Sequence, residues 1–323
     1  MILYPVSAFV LLATLLLYFK LAERYQIIDR PNERSSHRGV AIRGGGIVFP
    51  LAALLWFVSH GFALPWLIAG LLLVAAVSFL DDLRTLPGSI RFLVQFIAVS
   101  LMLLQLDFVG LPWYLVIPLY ILLLGWINAF NFLDGINAIT PFYSLAALGS
   151  FMVLNHRQPF APPPLLILLI IAVVIFSFFN ARRLARTFAG DVGSISMAFL
   201  LGYLMICLVS VTGRFEYVLF FIVYALDSVV TILYRLFRRE NIFRAHRSHL
   251  YQWLSNELGW PHVLVASLYA VVQLMINIFT IVLIRQEIMK LSIFLVTVAV
   301  LSLVYLVIRC AIGKRIGAGM NSH

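Results

Sequence analysis

Long apolar runs follow one another along the whole chain, and only short polar stretches separate them. Because a helix needs about 20 predominantly apolar residues to cross the hydrocarbon core of a bilayer, such runs predict membrane spans. Eleven spans are predicted, at residues 2–19, 44–58, 64–80, 92–106, 113–129, 142–154, 165–179, 195–211, 217–234, 263–284 and 291–307. Several runs fall short of that length, so ten spans, with one run broken or re-entrant, is the alternative count. The pattern predicts an all-α, polytopic membrane helix bundle of about 11 (10–11) transmembrane helices, with residues 1–323 forming one domain.

Composition indicates a membrane protein and excludes an ordinary soluble one. Of the 323 residues, 63% are hydrophobic and 11% are charged, and the mean hydropathy is +1.03, far from the values of a soluble domain. The two cysteines, Cys207 and Cys310, offer neither a disulfide framework nor a metal-ligand spacing.

The basic residues predict the orientation. The first apolar run has no basic segment ahead of it and no cleavage-site pattern, so it predicts a retained span with the N-terminus outside. When the loops are alternated from there, 19 Lys and Arg fall in cytoplasmic loops and four fall in external ones. This excess predicts a cytoplasmic C-terminus. It also accounts for the net charge of +10 without a nucleic acid partner, because a basic inner face suits anionic lipids and anionic substrates.

With this orientation, the acids and amides collect on the cytoplasmic face. Asp81 and Asp82 end the third span, and Asp191 follows the seventh. A carboxylate at the C-terminal end of a helix lies on the unfavourable side of the helix dipole, and a bound Mg²⁺ would compensate, since it takes one or two carboxylates together with substrate phosphates. A solvated helix end is the alternative for the Asp pair.

Two further stretches predict the same chemistry. Asn131, Asp134 and Asn137 follow the fifth span at intervals of three, which places them on one face of a continued helix. The alternative is an Asx-rich turn that Gly135 terminates. In "FAGDVGS", Asp191 lies between two glycines that would let a phosphate approach a helix N-terminus, provided that a cation lies between the two negative charges. A plain N-cap is the alternative there.

Two basic segments predict anion binding. The first, residues 30–46, contains Arg34, His37 and Arg43 ahead of three glycines. The second contains interleaved arginines and histidines, at Arg244, His246, Arg247 and His249. An ordinary positive-inside loop is the alternative for the first segment, and a zinc-binding histidine pair is the alternative for the second.

Asp227 lies inside the ninth predicted span. A carboxylate at such a depth is costly and is usually functional. It is expected to pair with a basic neighbour or to reach the site from within the bundle.

Taken in this order, the motifs resemble those of the polyprenyl-phosphate N-acetylhexosamine-1-phosphate transferase family. Five motifs carry the resemblance: R-G-G-G at the end of the first basic segment, the D-D pair, N-x-x-N-x-x-D-G, F-x-G-D-x-G-S, and the His-containing loop. The resemblance implies transfer of a sugar 1-phosphate from a UDP-N-acetyl sugar to undecaprenyl phosphate, with release of UMP. It implies dependence on Mg²⁺, with Mn²⁺ as a substitute, and an active site on the cytoplasmic face of the bacterial inner membrane.

The resemblance also implies residue roles. Asp191 would bind the metal, and Asp81 or Asp82 would hold metal or act on the lipid phosphate, so these three form the predicted catalytic set. Asn131, Asp134, Gly135 and Asn137 would line the uridine pocket, with Phe188 stacked on uracil. The diphosphate and sugar would be held by the two basic segments, through Arg34, His37, Arg43, Arg244, His246, Arg247 and His249.

Two departures from the family pattern bear on the metal site and on the substrate. Asn137 stands where an acid is common, which weakens a metal role there. The stretch "AHRSHLYQ" is more similar to the branch that initiates O-antigen, and hence lipopolysaccharide, synthesis. The choice of UDP-sugar and a homodimeric state are left open.

The main alternative is a transporter or flippase of anionic lipid-linked sugars. It would require polar residues near the membrane midplane and paired repeats, and the sequence contains no internal repeat. The CDP-alcohol phosphotransferases form another alternative, but here Asp134-Gly135 continues without the arginine that their motif requires.

Overall fold

A computed structural model describes residues 3–30, 39–241 and 247–320. The helices of these ranges are α1 (Leu3–Arg24), α2 (Val48–Ser59), α3 (Pro65–Leu83), α4 (Gly88–Gln105), α5 (Trp113–Leu133), α6 (Ile139–Arg157), α7 (Pro163–Asn180), α8 (Gly190–Thr212), α9 (Ile222–Phe237), α10 (Leu250–Gln252), α11 (His262–Arg285) and α12 (Leu291–Met320). Short 3₁₀ segments lie at Gly45–Ile47, Phe108–Gly110 and Phe215–Phe221, and a π-helical turn lies at Trp253–Glu257. One two-stranded antiparallel sheet pairs β1 (Ile28–Asp29) with β2 (Ala41–Ile42).

The prediction of an all-α polytopic membrane protein is confirmed. Within the described ranges, nine helices are long and apolar enough to cross a membrane, and Gly45–Ser59 is a shorter apolar helix. The remaining predicted run, 142–154, lies in α6, which is 19 residues long. That helix contains several buried polar residues that lower its hydropathy, namely Thr140, Ser144, Ser150 and Asn155.

Helix α8 forms the centre of the bundle. Every residue from Val192 to Leu208 is buried, because α2, α3, α5 and α6 pack around this helix. A helix that is apolar on all sides is expected in such a position. The N-terminus of α8, which carries Asp191, is therefore fixed by the surrounding helices.

The ninth span is broken where the 3₁₀ segment Phe215–Phe221 meets α9, and Gln273 of α11 compensates for the break. The Gln273 side chain accepts a hydrogen bond from the Val223 N–H at 3.0 Å and donates one to the Leu219 carbonyl at 2.8 Å. It also accepts one from the Tyr143 hydroxyl at 2.7 Å. Backbone groups freed inside hydrocarbon require such partners, so these polar side chains support the fold.

Backbone hydrogen bonds hold the loop ahead of α2 against the residues that lead into α8. The N–H groups of Gly45 and Gly46 donate to the carbonyls of Phe188 and Ala189, at 2.9 and 3.1 Å. The Ile42 N–H donates to the Arg186 carbonyl at 2.9 Å. These contacts bring residues 42–46, at the end of the first basic segment, and the glycine-flanked aspartate to one end of the bundle.

We expect Gly193→Ala to destabilise the protein by about 1–3 kcal/mol, the usual range for overpacking. A Cβ atom on Gly193 would lie 2.6 Å from the Gly46 Cα atom, and both backbones would have to separate. Thermal unfolding in detergent measures the effect. Gly125→Ala in α5 is the matched control, since its Cβ would meet no atom within 4 Å. Equal stability of the two variants would contradict this close packing.

Candidate active site

The end of α3 is joined to the start of α8 through Asp82. Its carboxylate accepts hydrogen bonds from the N–H groups of Asp191 and Val192, both at 3.0 Å. It also forms an ion pair with Arg43, with Nε and Oδ1 2.9 Å apart. Because Gly190 adopts a φ of +68° and its Cβ would meet the Asp82 carboxylate, only glycine suits that position. Asp82 thus holds both the first turn of α8 and the Arg43 side chain in place.

A second arginine, Arg91 of α4, forms ion pairs with both Asp81 and Asp191. The Arg91 Nη1 atom lies 2.9 Å from Asp81 Oδ2 and 3.6 Å from Asp191 Oδ2. Asp81 also accepts a hydrogen bond from the Leu86 N–H at 2.5 Å. The three carboxylate side chains differ in exposure, with Asp191 at 20%, Asp81 at 5% and Asp82 at 0%. Asp191 is therefore the member of this set that is most open to a ligand.

The continued helix predicted for Asn131, Asp134 and Asn137 is not formed, because α5 ends at Leu133 and a turn joins it to α6. Asp134 accepts a hydrogen bond from the Thr140 hydroxyl at 2.5 Å, and Asn131 accepts one from the Ser194 hydroxyl at 2.6 Å. Burial raises the pKa of Asp134 to about 7, with the Thr140 hydrogen bond lowering it and the Asp82 charge raising it. Asp134 can therefore exchange a proton near neutral pH.

The amides of this region hold the backbone. Ala138 adopts a left-handed φ of +71°, and the Asn180 side chain accepts its N–H at 2.8 Å. The Asn137 amide donates to the Arg182 carbonyl at 2.8 Å. This turn is therefore tied to the end of α7, and the side chains that face the cavity keep their places.

These elements enclose a cavity of about 270 Å³ with acidic walls. Its wall includes three carboxylates, on Asp29, Asp134 and Asp191, but among the described lining residues a single arginine, Arg43. A diphosphate would be repelled from these walls unless a cation accompanied it.

A second cavity, of about 820 Å³, adjoins the first and has basic walls. The two cavities share Asn137, Phe188 and His262. Three arginines line the second cavity, namely Arg182, Arg183 and Arg247, and its described lining contains no Asp or Glu. The pair of cavities can therefore accept an anionic ligand on the basic side and a cation on the acidic side.

The structure brings most of the predicted site residues together. Those on the acidic cavity are Arg43, Asn131, Asp134, Gly135, Asn137, Phe188 and Asp191, and Arg247 lines the basic cavity. Asp81 and Asp82 lie behind the wall as ion-pair partners. His249 is buried and its Nδ1 atom lies 3.2 Å from Asp227, so it faces the bundle interior. Arg34, His37, Arg244 and His246 lie outside the described residues.

Several residues at the site were not predicted. Asn180, Gln252 and His262 line the acidic cavity, Trp260 lines the basic one, and Arg91 pairs with the carboxylates. Arg91 follows the D-D pair by only nine positions, which was the one available signal. The others come from separate elements, and no spacing in the sequence joins them to the motifs.

The donor set fits a magnesium ion that arrives with a substrate. In the part of the chain that the structure describes, no three His, Cys, Asp or Glu residues form a preassembled metal cluster. Mg²⁺ typically uses only one or two protein carboxylates and completes its shell with water and phosphate. Asp191, which lines the acidic cavity, meets that requirement.

A central part of the chain matches a known protein family. Residues 64–209 match the model of glycosyl transferase family 4. The matched segment runs from the start of α3 into α8, and it contains the three aspartates of the ion-pair cluster as well as Asn131 and Asp134.

A relative in Bacillus subtilis (strain 168) is similar over nearly the full length. It is named "Probable undecaprenyl-phosphate N-acetylglucosaminyl 1-phosphate transferase". The two sequences are 25% identical, over 93% of this chain and 90% of the relative. Both comparisons support the resemblance at the level of the family, whereas the O-antigen-initiating branch stays a prediction.

Proposed function

We propose that this protein is a glycosyl transferase family 4 enzyme that transfers an N-acetylhexosamine 1-phosphate from a UDP-sugar to undecaprenyl phosphate and releases UMP. The reaction takes place on the cytoplasmic face of a bacterial inner membrane. It initiates O-antigen or another cell-envelope polysaccharide. The observation that carries the proposal is the junction of the basic cavity with the acidic cavity, which Asp191 lines. Asp191 lies within the segment that matches the family.

The charges of the two cavities suit the diphosphate of a nucleotide sugar and the cation that accompanies it. Arg182, Arg183 and Arg247 can bind phosphate oxygens. The Phe188 ring lies on the boundary of both cavities and offers a face for a base. Asp134 and Asn137 supply acceptors and donors to orient that base. A nucleotide sugar is thus held with its diphosphate facing Asp191.

In the proposed reaction, an oxygen of the lipid phosphate attacks the β-phosphorus of the UDP-sugar in line. The bond between this phosphorus and the oxygen that bridges to the α-phosphate breaks, and UMP leaves. Such reactions depend on positioning and on neutralisation of charge rather than on covalent help from the protein. When bound, Mg²⁺ would supply part of that neutralisation through Asp191.

The contacts of the Asp pair favour direct attack over an aspartyl-phosphate intermediate. Asp82 accepts two backbone hydrogen bonds and pairs with Arg43, and its side chain is fully buried. Asp81 is held by the Leu86 N–H and by Arg91. Carboxylates bound in this way are poor nucleophiles, and their role is to fix α8 and the two arginines.

The decisive experiment follows UMP release by the purified protein with undecaprenyl phosphate and a panel of UDP-N-acetyl sugars. We expect UMP to appear with at least one sugar, only when the acceptor is present, and to stop when EDTA removes divalent cations. Release of UDP would indicate transfer of the sugar alone. UDP release, or no turnover with any sugar, would overturn the proposed function.

A further inference from the structure

Asp227 is fully buried inside α9 and has an unusually complete set of partners. Its carboxylate accepts hydrogen bonds from the hydroxyls of Tyr269 and Tyr305, at 2.6 and 3.0 Å. It also accepts the Leu250 N–H at 3.0 Å and the Tyr251 N–H at 3.4 Å. A carboxylate inside a membrane bundle is costly to bury and persists where other groups depend on it.

The groups that depend on Asp227 form the start of a short segment, residues 248–258. The first N–H groups of a helix have no partner within the helix, and here the carboxylate from α9 receives those of Leu250 and Tyr251. The Gln252 side chain in turn accepts the His249 N–H at 3.3 Å. Asp227 therefore holds the first turn of α10 from inside the bundle.

A second helix anchors the same segment through Arg309 of α12. This arginine is only 4% exposed. Its Nη2 atom donates to the Ser248 carbonyl at 2.7 Å, and its guanidinium lies 4.4 Å from the centroid of the Trp253 ring. Its Nη1 atom also donates to the hydroxyls of Thr231 and Tyr305, at 3.1 and 3.3 Å. Asp227 and Arg309 thus belong to one hydrogen-bonded network.

The segment presents side chains to both cavities. Gln252 lines the acidic cavity, and Ser255 and Asn256 line the basic one. The Tyr251 hydroxyl donates to the Phe132 carbonyl at 3.0 Å, next to the turn that carries Asp134. A shift of this segment would move walls of both cavities together.

We propose that Asp227 and Arg309 are positioning residues that hold residues 248–258 in place to bind the nucleotide sugar. The inference rests on the proposed function for its ligand. Neither residue lines a described cavity, and both act through Gln252, Asn256 and the neighbouring turn.

The test compares Asp227→Asn and Arg309→Met with the wild-type protein. Asparagine keeps the shape of Asp227, but its amide nitrogen cannot accept a hydrogen bond from a backbone N–H. A tyrosine hydroxyl, in contrast, can rotate so that it accepts a hydrogen bond from that nitrogen. We expect each variant to raise KM for the UDP-sugar by about tenfold, the effect of losing a charge-assisted hydrogen bond, with little change in kcat. Hydrogen exchange of the amides of residues 250–258 should accelerate in both variants.

Asn277→Ala is the matched control. Asn277 is a fully buried polar residue of α11 whose side chain donates to Ser150 at 2.9 Å and accepts a hydrogen bond from Gln273 at 2.7 Å, and neither partner belongs to residues 248–258. We expect it to lower the melting temperature without a change in KM. An unchanged KM in the Asp227 and Arg309 variants, or a KM rise equal to that of the control, would overturn the proposal.

Failure of the proposed function would be distinguishable from failure of this inference. A wild-type protein that releases no UMP would overturn the function, and hydrogen exchange would still decide whether the two residues hold the segment. Unaltered local exchange in both variants would refute the inference whatever the activity.

Discussion

Asp191→Asn should lower the rate of UMP release by at least about 100-fold, since a bound metal ion contributes several kcal/mol of charge stabilisation and each 1.36 kcal/mol is tenfold in rate. Of the three clustered aspartates, Asp191 has the most exposed side chain, at 20%, and it lines the acidic cavity. Asparagine preserves its size and leaves the backbone hydrogen bond to Asp82 in place. The loss should therefore come from weaker cation binding rather than from unfolding.

The measurement is UMP release over a range of Mg²⁺ concentrations. The residual activity of the variant should require more Mg²⁺ than the wild-type protein does. Asp107→Asn is the matched control, because it makes the same change at an exposed position between α4 and α5, where a left-handed φ of 58° suits asparagine. Unchanged activity and Mg²⁺ dependence in Asp191→Asn would remove the basis for placing the metal there.

Asp82→Ala should abolish activity for a different reason. It should also lower the free energy of unfolding by about 2–4 kcal/mol, the usual cost of leaving buried hydrogen-bonding groups and one charge without partners. The substitution leaves the N–H groups of Asp191 and Val192 unpaired. Arg43 also loses its carboxylate, although its side chain is 40% exposed and water can replace part of that interaction. The first turn of α8 should then lose its fixed position.

Thermal unfolding in detergent, measured beside Asp81→Ala, separates the two members of the pair. Asp81 holds one backbone N–H and an arginine that is 39% exposed, so its replacement should cost less. The reverse order of stability would contradict the assignment of Asp82 as the residue that fixes α8.

The fold was predictable because long apolar runs leave few alternatives once a bilayer is the solvent. The helices α3, α5 and α8 lie close to the predicted bounds. Helix α12 continues to Met320, well beyond the predicted end at residue 307, and smaller differences occur at α6 and at the start of the ninth span. There, Thr140, Ser150 and Gln273 lie inside the bundle as hydrogen-bonding partners, and hydropathy alone does not distinguish such partners from loop residues.

The site was predictable in part, and the reason is topological. The alternation of the spans places Asp82, Asp134 and Asp191 on one face of the membrane, and the packing of α3 and α5 against α8 brings them close together. The partner of each side chain does not follow. Spacing could not show that His249 lies against Asp227, or that Gln252 and His262 complete the acidic cavity, since those contacts join elements distant in sequence.

Two of the helices that support the site, α8 and α12, have opposite relations to the surrounding lipid. Helix α8 is enclosed by other helices, whereas α12 carries Arg309 but turns most of its side chains outward, among them Leu295, Val300 and Leu303. A change in bilayer thickness is accommodated by the tilt of helices that touch lipid. We therefore expect acyl-chain length to alter nucleotide-sugar affinity through α12, while Asp191 on α8 stays insulated from the membrane around it.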